Sequence, residues 1–186
     1  MHMLELIATP SQRENFLAPM LAGETRSCFS MTEPPPGAGS DPTALRTVAK
    51  PDGAGGFIID GEKWLITGAE GAKFTIVMAK TLNEAGDDVG ASMFLAPMDD
   101  PSIQTIRVLD TMDSSFTGGH AHLKFDGLKV GPDAVLGEVG KGFKYAQVRL
   151  APARLTHCMR WVSLLLRESE ETAFQRVCHL NVPIHQ

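Results

Sequence analysis

Residues 56–81 read GFIIDGEKWLITGAEGAKFTIVMAKT. Three short runs rich in β-branched and aromatic residues, GFIID, KWLIT and FTIVMAKT, stand between turn formers. Runs this short with such composition read as strands rather than helices. Asp60-Gly61 joins the first two and predicts a two-residue hairpin. The same texture extends outward on both sides. SCFSM (27–31), LRTVAK (45–50), ASMFLAP (91–97), IQTIRVL (103–109) and HAHLKF (120–125) repeat it, and Gly53 to Gly56 forms another turn signal. Many short strands from Thr25 to Leu136, with few helical stretches, predict a mainly β fold, a sandwich or a Greek-key barrel.

Helical texture flanks this region. Thr9 followed by Pro10 is a good helix start, and Ser11 with Glu14 has capping-box spacing, so either can begin the helix. Phe16, Leu17, Met20 and Leu21 then share one apolar face, Gly23 is the expected stop, and Pro19 is expected to disturb the turn. From Gly142 helical spacing returns, with Leu155, Met159, Val162 and Leu166 on one side. Arg160, Arg167, Glu168, Glu170 and Glu171 fall largely off that side, and Pro183 is the expected end. A lone amphipathic helix takes most of its stability from packing partners. The expectation is a β domain (25–139) between the edges of two helical neighbours, residues 1–24 and 140–186.

The composition narrows the function. Apolar residues make up 43% of 186, enough for a core, and the net charge is −5. Mild acidity argues against a nucleic-acid surface and gives no polybasic membrane signal. No apolar stretch approaches the roughly 20 residues needed to span a bilayer. MHMLELIATP lacks a signal peptide's charged and apolar regions. Cys28, Cys158 and Cys178 are widely spaced, which suits reduced thiols in a cytoplasmic protein.

Several residues invite chemistry. His120 and His122 share one face of a strand, but no third ligand stands at a telling distance, so no metal is expected. Glu33 lies just before Pro34–Pro36 and Gly37-Ala38-Gly39, and such an acid is best used to accept bonds from loop backbone N–H groups. Gly37-Ala38-Gly39 is not a dinucleotide fingerprint, because no third glycine opens a helix. Neither a P-loop nor a G-x-S-x-G elbow occurs.

Four spaced segments carry a resemblance. LAGETRSCFSMTEP (21–34), GAGSDPTALRT (37–47), DGEKWLITGA (60–69) and VGKGFKYAQVRLAPARLTHCMRW (139–161) match the pattern of the acyl-CoA dehydrogenases in the right order. The chain resembles that family's middle domain from about Leu4 to Trp161, nearest to members with C-F-x-M-T-E-P and H-C-M-R motifs. The resemblance implies FAD as cofactor and an acyl-CoA thioester as substrate, oxidised at its Cα–Cβ bond. It places Phe29, Ser30, Met31 and Thr32 at the flavin edge, with Thr32 at the pyrimidine end, and Leu65, Ile66 and Thr67 against the ring. Ser40 matches the serine that touches the pantetheine or acyl part, and Arg154 the arginine near the CoA side.

The departures set further expectations. Pro35 and Pro36 stand between Thr-Glu-Pro and Gly-Ala-Gly-Ser-Asp, which adjoin in most members, so Ser40 keeps its place only if the loop bulges outward. Leu65 stands where many members have tryptophan. Trp64 is next to it, and since strand neighbours face opposite ways, Leu65 is the expected flavin contact. The family's catalytic carboxylate belongs to a C-terminal helical domain, so no catalytic residue is assigned here. After Val162 the text diverges from the family pattern, as a shifted frame or truncated gene would produce. The reading is therefore a fragment of an FAD-dependent acyl-CoA dehydrogenase-like oxidoreductase, completed by another chain or a second copy. The alternatives are a catalytically dead remnant or binding module without flavin, and an unrelated small β-barrel binder.

Overall fold

A computed structural model describes residues 1–39, 41–112 and 118–180, the side chains of 42 and 173–180 aside. It divides into two units, residues 1–146 and 147–186.

In the first unit, seven strands form one mixed sheet. They are β1 (Ser27–Ser30), β2 (Val48–Pro51), β3 (Phe57–Thr67), β4 (Phe74–Leu82), β5 (Asp88–Pro97), β6 (Ile103–Val108) and β7 (His120–Val130). β5 runs antiparallel to β4, while β1 and β2 pair parallel to successive halves of β4. The path continues through β3 and β7 to β6. The mainly β architecture with flanking helices is as expected, but the sheet does not close into a barrel among the described residues.

Strand alternation builds two cores. Val77 and Ala79 of β4 and Phe94 and Ala96 of β5 face Ile59, Ile66, Leu123, Phe125 and Leu128 of β3 and β7. Ile76, Met78, Met93 and Leu95 face the other way, onto Met3, Leu4 and Leu17. A strand apolar on both faces has to be covered twice, and the N-terminal helices supply the second cover.

These helices are α1 (His2–Ile7), α2 (Pro10–Gln12), a π-turn (Arg13–Leu17) and α3 (Ala18–Leu21). Thr9, rather than Ser11, is the cap. Its Oγ accepts the Gln12 N–H, and Gln12 Oε1 accepts the Thr9 N–H. The π-turn precedes Pro19, whose ring would collide with a carbonyl four residues back in a regular helix. Gln12 Nε2 donates to the carbonyls of Asp133 (2.7 Å) and Val135 (2.9 Å), tying this layer to the turn after β7.

Two sequence expectations fail on one strand. Asp60-Gly61 is no hairpin, because β3 runs through it and keeps pairing with β7. Gly61 is needed for a close approach instead: at φ +149° a Cβ there would lie 2.5 Å from Thr47 Oγ1. The β2–β3 hairpin turns at the other glycine cluster, where Asp52 Oδ1 accepts the N–H groups of Ala54 and Gly56. The strict alternation assumed at Trp64 and Leu65 also fails, as the pairing of β3 with β7 shows.

The second unit belongs to α4 (Gly142–Leu180), whose apolar residues Leu155, Met159, Val162 and Leu166 are exposed. No helix among the described residues is long and apolar enough to cross a membrane. Pro183 lies outside the described residues.

Candidate functional site

β3 carries a bulge. Lys63 pairs with Leu123 and Ile66 with Ala121, so Trp64 and Leu65 together oppose His122. Two consecutive residues of a bulge stand against one partner residue, so strict alternation does not force one of them inward. Lys63 and Ile66 are buried, Trp64 is half-buried, and Leu65 is 46% exposed. Leu65 adopts φ +55°, a left-handed conformation that is uncommon for a residue with a side chain. The alternation expected between Trp64 and Leu65 is thereby corrected, since the extra residue leaves neither of them in the two cores.

Beyond β1 the chain clasps this bulge. The Trp64 N–H donates to the Thr32 carbonyl (3.0 Å), and the Thr32 hydroxyl donates to the Trp64 carbonyl (2.6 Å). Thr67, exposed at the end of β3, has its Oγ 3.0 Å from His120 Nδ1. Glu62 Oε2 lies 2.9 Å from His122 Nε2, and His122 Nδ1 is buried with no partner among the described residues. The two histidines thus engage separate β3 residues, and no group of three or more metal-binding side chains occurs among the described residues.

The structure brings Thr32, Leu65 and Thr67 to this edge. Ser30 and Ile66 are held in the interior, Ser30 by a 2.7 Å bond to Thr75 Oγ1 and Ile66 in the core beside Ala121. Phe29 and Met31 pack against the core under the N-terminal helices. Arg154 is exposed on α4, in the second unit. Ser40 lies outside the described residues. Its loop, however, is pinned at the base, where the Glu33 N–H donates to the Gly39 carbonyl (3.1 Å) while Pro35 and Pro36 stand exposed at the tip. The two additional prolines therefore stand at the exposed tip of the loop.

Under the loop lies a buried ion pair. Lys63 Nζ is 2.9 Å from Glu33 Oε1, with side-chain exposures of 0% and 2%. Glu33 also accepts the backbone N–H groups of Ala38 (3.2 Å), Arg46 (2.8 Å) and Thr47 (2.9 Å). Burial opposes ionisation of Glu33, but the Lys63 charge and these donors outweigh it and hold the carboxyl at about 2. Burial pulls the Lys63 amine down to about 8 despite its partner. Glu33 thus does what its position before a glycine loop suggests. Lys63 was missed by sequence reasoning. The available signal was parity: on β3, Ile59, Gly61 and Lys63 fall on one face, and Ile59 is core. An open cleft of about 260 Å³ borders Glu33, Gly37, Arg46 and Glu62, and none of Thr32, Leu65 or Thr67 lines it.

Residues 28–128 match the family model described as acyl-CoA dehydrogenase, middle domain. The chain is 38% identical over 162 residues to the protein named probable acyl-CoA dehydrogenase FadE2 of Mycobacterium tuberculosis, covering 86% of this chain and 39% of that one. It thus spans well under half the length of that relative. Among solved structures, an acyl-CoA dehydrogenase from Geobacillus kaustophilus superposes with a TM-score of 0.72 at 32% identity, over 82% of this chain and 40% of its own. A glutaryl-CoA dehydrogenase from Mycobacterium smegmatis, solved in complex with FADH2, gives 0.69 at 26% identity, over 82% and 36%. The family model covers more than half the chain and the strand-rich sheet superposes on solved members, and the chain belongs to the acyl-CoA dehydrogenase family through that family's middle domain.

Proposed function

We propose that this chain supplies the flavin- and thioester-facing β domain of an FAD-dependent oxidoreductase acting on acyl-CoA. The observation that carries the reading is the bulge. It presents Leu65 on a left-handed backbone, with Trp64 beside it and a threonine engaged on either side. An isoalloxazine is a flat apolar body with a polar rim, and this edge has the matching pattern. Leu65 and Trp64 form an apolar wall that excludes water from the ring. Thr32 orients its pyrimidine end, and Thr67, with His120, lies at the opposite end of the wall. Phe29, Ser30, Met31 and Ile66 support these positions from the core. Ser40 and Arg154 are proposed for the thioester arm and the CoA side. FAD, when bound, supplies a hydride acceptor for α,β-dehydrogenation of the thioester.

The exposed apolar residues of α4 fit a complementing chain or a second copy. Cys28 and Cys158 are free thiols, which suits a cytoplasmic setting. A binding module without flavin is the second reading. It is favoured by one observation: the hydroxyls of Thr32 and Thr67 both have protein partners already.

Colour separates the two. The chain is incubated with FAD, passed through gel filtration and scanned in the visible. Flavin absorbance travelling with the protein supports the first reading. A folded, colourless protein supports the second.

A further inference from the structure

We infer that Lys63 is the positioning residue of the cofactor-facing edge, acting as a clamp on the tripeptide Met31-Thr32-Glu33. This deepens the flavin reading and rests on it for its functional consequence, though not for its geometry. β1 ends at Ser30, so residues 31–33 have left the sheet's regular pairing. Besides the Trp64–Thr32 and Glu33–Gly39 bonds, one amine holds this segment. Lys63 Nζ donates to the Met31 carbonyl at 3.0 Å and to Glu33 Oε1 at 2.9 Å, gripping the tripeptide at both ends. The middle residue, Thr32, is held by the next residue of β3, through the two bonds with Trp64. Adjacent residues 63 and 64 therefore hold all three residues of the segment.

A lysine suits this place for a physical reason. The bulge interrupts regular backbone pairing on β3, and an ammonium carries three donors on a flexible stem. It reaches two acceptors that no single backbone N–H serves. Glu33 passes the constraint onward to the loop through Ala38, Arg46 and Thr47. The loop base, the threonine and the bulge become one unit. Gly37 fits the same arrangement, since a Cβ there would lie 2.8 Å from both Glu33 Cβ and Oε2.

The test compares the wild-type chain, Lys63→Met, and Leu128→Ala as a core control outside the clamp. Amide hydrogen exchange by NMR is read at Trp64, Arg46 and Thr47, and FAD affinity by fluorescence titration. In Lys63→Met the Trp64 amide should lose protection by about tenfold beyond the change in global stability, the loss expected for bonds to a charged group. FAD affinity should fall by a similar factor, about tenfold, relative to Leu128→Ala. Equal behaviour of the two variants at Trp64 overturns the inference. If Lys63→Met does not fold, the wild-type protein decides. Common protection of Trp64, Arg46 and Thr47 supports one clamped unit, and a Trp64 amide that opens independently of the other two overturns it. Failure of the wild-type chain to bind FAD removes the flavin reading, and amide exchange alone then decides whether the clamp exists.

Discussion

Lys63 and Glu33 set the most consequential energies at single positions. Removing one member of a buried pair leaves the other charge unpaired, so Lys63→Met should destabilise the fold by about 3–5 kcal/mol, read from urea midpoints. Acid acts on the same pair. Glu33 titrates at about 2 in the fold against 4.5 unperturbed. Between these values the unfolded chain binds the extra proton, so this contribution is complete above the upper value and is lost as pH falls through the lower. The urea midpoint should therefore drop on acidification across that window, and Glu33→Gln should flatten the drop. Leu65 makes the opposite case. Its left-handed backbone costs about 1 kcal/mol, which glycine would not incur, and its side chain is nearly half exposed. Leu65→Gly should leave stability unchanged or raise it, yet weaken FAD binding, as thermal melts and flavin titration would show. Leu65 enters the proposed site only through the resemblance. Its conformation was not legible, because a bulge arises from the pairing of two strands far apart in sequence.

At the scale of elements, the strand runs were legible because β-branched residues cluster between turn formers. The pairing was less so. Eight apolar runs make seven strands, since GFIID and KWLIT are one. Asp60-Gly61 has hairpin chemistry, yet Thr47 from a neighbouring segment explains the glycine, and no local rule contains that contact. Gly61→Ala should cost about 1–3 kcal/mol through overpacking, measurable by chemical denaturation. The helical layer follows the same logic. The sequence offered Thr9 and Ser11 alike as its cap and the structure uses Thr9, but nothing in the sequence shows that Gln12 reaches two carbonyls beyond β7. Gln12→Ala leaves the carbonyls of exposed Asp133 and half-buried Val135 without that donor, and should cost about 1–3 kcal/mol for the two bonds together. Amide exchange should show the loss concentrated in α1 to α3 if those bonds hold the layer down.

For the whole molecule, the first unit is a two-core sheet with one irregular edge, and the second contains α4 from Gln147 onward. The family was legible from four ordered segments, because the residues that shape the loop, the clasp and the bulge lie within them. What the segments could not show was the device beneath. The lysine that holds the edge sits in DGEKWLITGA, and only its shared strand parity with core Ile59 sets it apart from a solvated strand residue. The central claim is that the edge formed by Thr32, Trp64, Leu65 and Thr67 receives the flavin ring. Titration of the isotope-labelled chain with FAD, followed by amide chemical shifts, tests it most directly. The expected result is a set of shifts centred on Thr32, Trp64, Leu65, Thr67 and His120. Saturable shifts confined to the Glu33–Arg46 cleft, with those five residues unmoved, would contradict it.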